Sequence, residues 1–268
     1  MKNTKIDWAG STWNPVTGCK NDCPYCYARR IAERFGGYTS GMTFENVGEP
    51  ESPLWVIYEP VTKTTGRGNE QTAPYPFDFA PTLHKYRLDI PKTWKEPATV
   101  FVCSMGELFG DWVPLEWIQE VFQSCQQAPQ HKYLFLTKNP ERYLQLGKDG
   151  LLPSQDNFWY GTTITKAKQP FFFSRSHNTF VSVEPMQEDF GEGAFDGTTL
   201  GWVIVGAETG KRTGKILPEK SWIDNLSNEC RKSGIPIFMK ESVEQLMGED
   251  FRREFPWNPK ESEGRINE

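Results

Sequence analysis

Seven short apolar runs, set apart by helical or loop-like stretches, restrict this chain more than any other feature. The first, residues 11–17 (STWNPVT), leads into a cysteine-rich loop. The others are Thr99–Ser104, Lys132–Thr137, Phe158–Thr163, Thr179–Glu184, Gly201–Gly206 and Ile235–Met239. Most are β-branched or aromatic and almost continuously apolar, as strands covered on both faces of a parallel sheet are. Helical patterns fall between them at Pro114–Gln127, Asn139–Gly147 and Glu219–Lys232. Pro114 suits a first helical turn, and Gly234 is placed to end the last helix. Strands alternating with helices predict βαβ units and an α/β fold. Seven runs predict a partial or irregular (β/α) barrel of TIM type, and 268 residues is an ordinary length for one such domain.

Residues 36–97 break this rhythm, being rich in Gly, Pro, Thr and charge. The stretch is expected to be an insertion after the first βα unit, acting as a lid over the barrel mouth. The barrel then occupies residues 1–246, and the polar residues 247–268 form a C-terminal extension. The formal net charge is −5, so no global basic footprint favours a broad grip on duplex nucleic acid. No apolar run approaches the ~18 residues that cross a bilayer, and the start (MKNTKIDWAG) has no signal-peptide core. The expectation is a cytoplasmic chain with no membrane partner. Six cysteines in that setting are not a disulfide framework.

Three of the six stand within eight residues, in Gly18-Cys19-Lys20-Asn21-Asp22-Cys23-Pro24-Tyr25-Cys26. Three thiolates on one loop suit three corners of an iron–sulfur cubane, which normally takes four, so one iron is left open. The competing reading is a non-catalytic zinc-binding module. Structural zinc usually takes four Cys or His ligands, often as spaced pairs, and His84, His131 and His177 all lie far from the loop in sequence. The pattern C-x3-C-x-aromatic-C resembles the signature of the radical S-adenosylmethionine (SAM) superfamily. The wider chain resembles a phage-associated family within it, through TGCKNDCPYCYA, YLFLTKNPERY, FVSVEPM, WVIVGAETG and PIFMKES among other segments. It departs from that pattern at Glu107, at Ala207 and at Glu241-Ser242-Val243.

The resemblance implies a [4Fe–4S] cluster on Cys19, Cys23 and Cys26, SAM as cofactor, and a 5′-deoxyadenosyl radical that abstracts hydrogen from an organic substrate. It also implies an electron donor, either a flavodoxin- or ferredoxin-type protein or a chemical reductant. The cysteine loop is similar to that of spore photoproduct lyase, a DNA-repair enzyme. A nucleotide or nucleic-acid base is therefore the expected substrate, for modification, isomerisation or repair. A peptide or protein partner is the alternative.

Sites in such barrels gather at strand C-termini. There the resemblance assigns Ser104, Gly106 and Glu107 to the methionyl ammonium of SAM. Thr162, Thr163, Ser182 and Glu184 are expected at ribose hydroxyls or the SAM carboxylate. Strand alternation puts Ser182 and Glu184 on one face, and a carboxylate there needs a partner. Val205, Gly206 and Glu208 are expected near adenine, where small residues admit a flat ring, with Tyr25 bordering it. Lys138 and Lys240 are candidates for a substrate phosphate or carboxylate, for neutralising the SAM carboxylate, or for ion pairs with Glu184 or Glu208. Glu184, Lys138 and Lys240 are the candidate catalytic groups. Cys103, Cys125 and Cys230 are expected to pack as small apolar residues, and Cys103 alone of these is a candidate radical relay to test.

Overall fold

The structure, a computed structural model, describes residues 4–37, 43–64, 66, 68–209 and 214–257. The chain divides into two compact units: Met1–Thr4 with Ala9–Arg142, and Lys5–Trp8 with Tyr143–Glu268. No helix among the described residues is long and apolar enough to cross a membrane.

The described residues form thirteen strands. In the first unit, β1 (Ser11–Trp13) is followed by β2 (Val16–Thr17), helix α1 (Tyr27–Phe35), β3 (Phe44–Asn46) and β4 (Trp55–Ile57). Then come β5 (Thr62–Thr64), β6 (Glu70–Thr72), β7 (Thr82–His84), β8 (Thr99–Val102), α2 (Leu115–Gln126) and β9 (Lys132–Thr137). Helix α3 (Pro140–Lys148) crosses the division. The second unit holds β10 (Phe158–Ile164), β11 (Asn178–Val183), β12 (Trp202–Val205), α4 (Lys220–Lys232), β13 (Ile237–Met239) and the short α5 (Glu244–Met247).

The main strands are parallel throughout. In the first unit β8 lies between β1 and β9. In the second the order is β10-β11-β12-β13. These open runs of seven parallel strands give the expected α/β fold of partial (β/α) barrel type. Helix α2 buries Trp117, Ile118, Val121, Phe122 and Cys125, one stripe at helical spacing. Helix α4 buries Ile223, Leu226 and Cys230 in a core with Val181, Val183, Val203, Val205, Ile237 and Met239. Cys125 and Cys230 thus pack as small apolar residues.

One feature differs from expectation. The first apolar run splits at Asn14-Pro15. β1 joins β8, while β2 pairs antiparallel with β7. Within residues 36–97, β3, β4 and β7 join β2 from outside the stretch in a four-stranded sheet (β2-β7-β4-β3), and β5 and β6 form a hairpin. The corner is tied by Arg87, which donates to Asn14 O (2.9 Å) and Pro74 O (3.0 Å), while Trp13 Nε1 donates to Arg87 O (2.8 Å).

Candidate functional site

The cysteine loop hangs between two backbone segments of the first unit. Gly18 N–H donates to Met105 O (2.9 Å), and Glu107 N–H donates to Gly18 O (3.1 Å). On the other side Cys19 N–H donates to Phe79 O (3.1 Å). Gly106 is closely packed, since an added Cβ would lie 3.0 Å from Gly18 O and from Thr17 Cα. Cys26 N–H closes a turn onto Cys23 O (3.0 Å). Cys26 then caps α1, its Sγ accepting from Arg29 N–H (3.3 Å), and Cys19 Sγ accepts from Asn21 N–H (3.3 Å).

All three cysteines are free and half-buried. Burial pushes the Cys19 thiol up to about 12, against the Asn21 N–H, with Glu107, Cys23 and Cys26 adding to the rise. Burial also raises Cys23, with Lys138 opposing and Cys26 and Glu107 adding. Neighbouring thiols of this kind become thiolates together only when a cation or cluster supplies positive charge. Among the described residues, no three or more His, Cys, Asp or Glu are gathered as a single-ion site. The donor chemistry of the three thiols nonetheless fits an iron–sulfur cluster, with backbone N–H groups already on two sulfurs.

Glu107 is buried beside the loop. Its Oε1 accepts from Thr137 Oγ1 (2.8 Å) and Phe109 N–H (3.1 Å), and Oε2 accepts from Lys138 N–H (3.1 Å). Lys138 turns its ammonium to Tyr25, 3.0 Å from the hydroxyl and 4.8 Å from the ring centroid. Ser104 donates to Asn14 Oδ1 (3.2 Å), and its carbonyl accepts from Tyr27 OH (2.7 Å). Tyr25, Ser104, Gly106, Glu107 and Lys138 therefore share the surroundings of the cysteine loop. Cys103 precedes them, buried, in the left-handed region (φ +56).

Burial raises the Glu107 carboxyl above its ordinary 4.5, against its three hydrogen-bond donors and the Lys138 charge. The folded chain keeps a proton that the unfolded chain has released, so stability falls as pH rises from about 4.5 through the folded value. Beyond that value the contribution is flat. Urea titrations of the apo chain at a series of pH values are expected to show this slope. In Glu107→Gln it is expected to be missing, and an unchanged slope would assign it to another group.

The second unit has a polar group of its own. Ser182 donates to Glu184 Oε1 (2.8 Å), and Lys240 pairs with Glu184 Oε2 (2.5 Å). Burial alone would lower the Lys240 pKa, but the Glu184 carboxylate outweighs it and Asp7 adds, so the pKa is raised. The partner left open by the sequence is thus Glu184. Thr163 sits opposite Ser182 in the β10–β11 register. Thr162 is taken up structurally, accepting from Phe172 N–H (3.0 Å). Val205 is wholly buried in the core, and Glu208 is buried. The space above Gly206 is filled by Lys240, whose Cδ would lie 2.9 Å from an added Cβ. Ser242 accepts from Ala207 N–H (3.0 Å).

Several of these contributors escaped sequence reasoning. Asn14, Thr137 and Asp7 act through long-range hydrogen bonds, which leave no periodic trace. Gly18 directly precedes Cys19 in sequence, and its left-handed φ of +85 is the reason a glycine stands there.

A family model described as "Protein of unknown function (DUF5131)" matches residues 3–266. No curated protein matches the chain. Among solved structures it is similar to a cysteine-to-serine mutant of spore photoproduct lyase, at 12% identity and a TM-score of 0.47, over 90% of this chain and 81% of that one. A cysteine-to-alanine mutant with dinucleoside spore photoproduct follows at 11% identity and 0.46, over 84% and 75%. A further structure of the lyase complexed with dinucleoside spore photoproduct gives 10% and 0.43, over 83% and 87%.

Proposed function

We propose that this chain, which belongs to the DUF5131 family, is a radical SAM enzyme holding a [4Fe–4S] cluster on Cys19, Cys23 and Cys26. One observation carries this: three free thiols within eight residues, on a loop pinned at Gly18 and Cys19 and ending in the cap of α1. When bound, the cluster supplies one electron to the sulfonium of SAM, which releases a carbon-centred radical for hydrogen abstraction.

The chain's own residues hold and orient. The N–H groups of Asn21 and Arg29 stabilise charge on two ligand sulfurs. A carboxylate offers about four acceptor positions. Thr137, Phe109 and Lys138 take three of those on Glu107, which leaves one for the ammonium of SAM, beside Ser104 and Gly106. Lys138 fixes Tyr25, the residue directly before Cys26. In the second unit, Thr163, Ser182 and Glu184 offer hydroxyl and carboxylate groups to SAM or substrate, and Lys240 pairs with Glu184. Val205, Gly206 and Glu208 remain the proposed adenine contacts.

The proposed substrate is a nucleotide or nucleic-acid base. The resemblance of the cysteine loop to that of spore photoproduct lyase supports it. The acidic balance favours a flipped base, single strand or nucleotide over a duplex grip. Anaerobic reconstitution tests the enzyme reading. A brown protein absorbing near ~400 nm that converts SAM to 5′-deoxyadenosine is the expected result. One bound zinc and no SAM cleavage would sink it. Deuterium transfer into deoxyadenosine from labelled nucleosides, rather than from labelled peptides, then identifies the substrate class.

A further inference from the structure

Helix α1 is built inside out. Its buried residues are the small ones, Ala28 and Ala32, packed with Phe79 and Met105. Its large apolar residues face solvent: Tyr27 is 45% exposed, Ile31 38% and Phe35 46%. These three recur at i, i+4 and i+8 and so form one stripe. A surface helix normally turns such a stripe to the core, and contiguous exposed apolar surface marks an interaction site.

The stripe is edged with positive charge. Arg30 and Arg34 are exposed, and neither pairs with a carboxylate among the described residues. Arg34 lies 5.2 Å over the Phe35 ring. Glu33, the helix's only acid, faces Arg29 at 4.0 Å. Exposed Lys20 on the cysteine loop bonds to Ser52 rather than to an acid. In a chain of net charge −5 this is a local basic patch, complementary to an acidic partner. Tyr27 is peptide-bonded to Cys26. The nine residues of α1 span only about 13 Å at 1.5 Å per residue.

We infer that the Tyr27-Ile31-Phe35 stripe with Arg30 and Arg34 is the docking surface for an acidic one-electron carrier protein of flavodoxin or ferredoxin type. This rests on the radical SAM reading of the cysteine loop. In the step served, the reduced flavin or iron–sulfur centre of the carrier loses one electron and the cluster gains it. No bond is made or broken.

The test uses the full chain and a purified acidic flavodoxin, with binding followed by calorimetry as well as by activity. The parent chain is expected to bind, more weakly as salt rises. Arg30→Glu with Arg34→Glu is expected to weaken binding by about tenfold or more, and Ile31→Ser by several-fold. Flavodoxin-driven SAM cleavage by the double variant falls in parallel, while dithionite-driven cleavage stays within about twofold of the parent. A double variant that binds flavodoxin as tightly as the parent overturns the inference. So does a face that binds a single-stranded oligonucleotide or a second copy of the chain but no flavodoxin. If the parent fails to cleave SAM even with dithionite, the enzyme reading fails instead, and calorimetry still reads the surface on its own.

Discussion

Cys23→Ala is expected to leave a folded, colourless protein after anaerobic reconstitution, with SAM cleavage at background. Two thiolates cannot hold a cluster that already lacks a fourth protein ligand. Loss of outer-shell partners alone typically costs about 10–100-fold, so loss of a ligand is expected to exceed about 100-fold. The fold is expected to survive because Cys23 is half-buried and free. Cys26→Ala is expected to match it in iron content yet be less stable, because Cys26 Sγ also caps α1 through Arg29 N–H. Removing a good cap costs about 1 kcal/mol, an upper figure for a sulfur acceptor. Cys125→Ala is the control, buried within α2 and expected to load the cluster normally. Iron and sulfide analysis, the visible spectrum and a urea titration on each variant separate these effects. A Cys23→Ala protein that assembles the cluster would refute the ligand assignment.

The strands and three of the longer helices could be read from sequence because each buries a continuous or periodic set of large side chains. β9 and α2 are examples, with Tyr133, Leu134 and Phe135 buried in one and Trp117 to Cys125 in the other. Helix α1 gave no such signal, since its core face is two alanines and its large residues point outward. The small sheet was hidden for a related reason. Its strands are two or three residues long, and β3 and the hairpin strand β6 are exposed at every position. Only β2, β4 and β7 carry appreciable burial.

The site divides in the same way. Cys19, Cys23 and Cys26 are adjacent in sequence and announce themselves. That Ser182 shares a face with Glu184 follows from strand alternation, and the 2.8 Å bond between them agrees. The pairing of Lys240 with Glu184 rather than Glu208 depends on the β11–β12–β13 register, which no local pattern specifies. Glu107 illustrates the limit best. Its position after β8 was legible, but the three donors that lock it come from residues 109, 137 and 138.

Gly18→Ala is expected to be the most destabilising single-methyl change in the first unit. Gly18 has φ +85, a left-handed conformation that costs a residue with a Cβ about 1–2 kcal/mol. The new Cβ would stand 2.2 Å from Ala80 O, 2.4 Å from Ala80 C and 2.7 Å from Phe79 O. All three are backbone atoms, so no side chain can swing clear. Relief requires the 79–80 segment to move away from the loop, and that segment anchors Cys19 through the Phe79 carbonyl. It also requires Gly18 to leave Met105 and Glu107, which it joins on the other side. Strain and displaced backbone together place the expected loss at about 3 kcal/mol or more, at the upper end for one substitution. Gly150→Ala supplies the comparison. Gly150 has φ +69 and open space around its Cα, so it should lose only the strain, about 1 kcal/mol. Urea titrations of the two apo variants should therefore differ by about 2 kcal/mol. Cluster loading should fall in Gly18→Ala and hold in Gly150→Ala, because only the former displaces the backbone that carries the first ligand. Equal losses in the two variants would mean that the 79–80 segment yields freely, and that the cysteine loop is not held by the close backbone contact at Gly18.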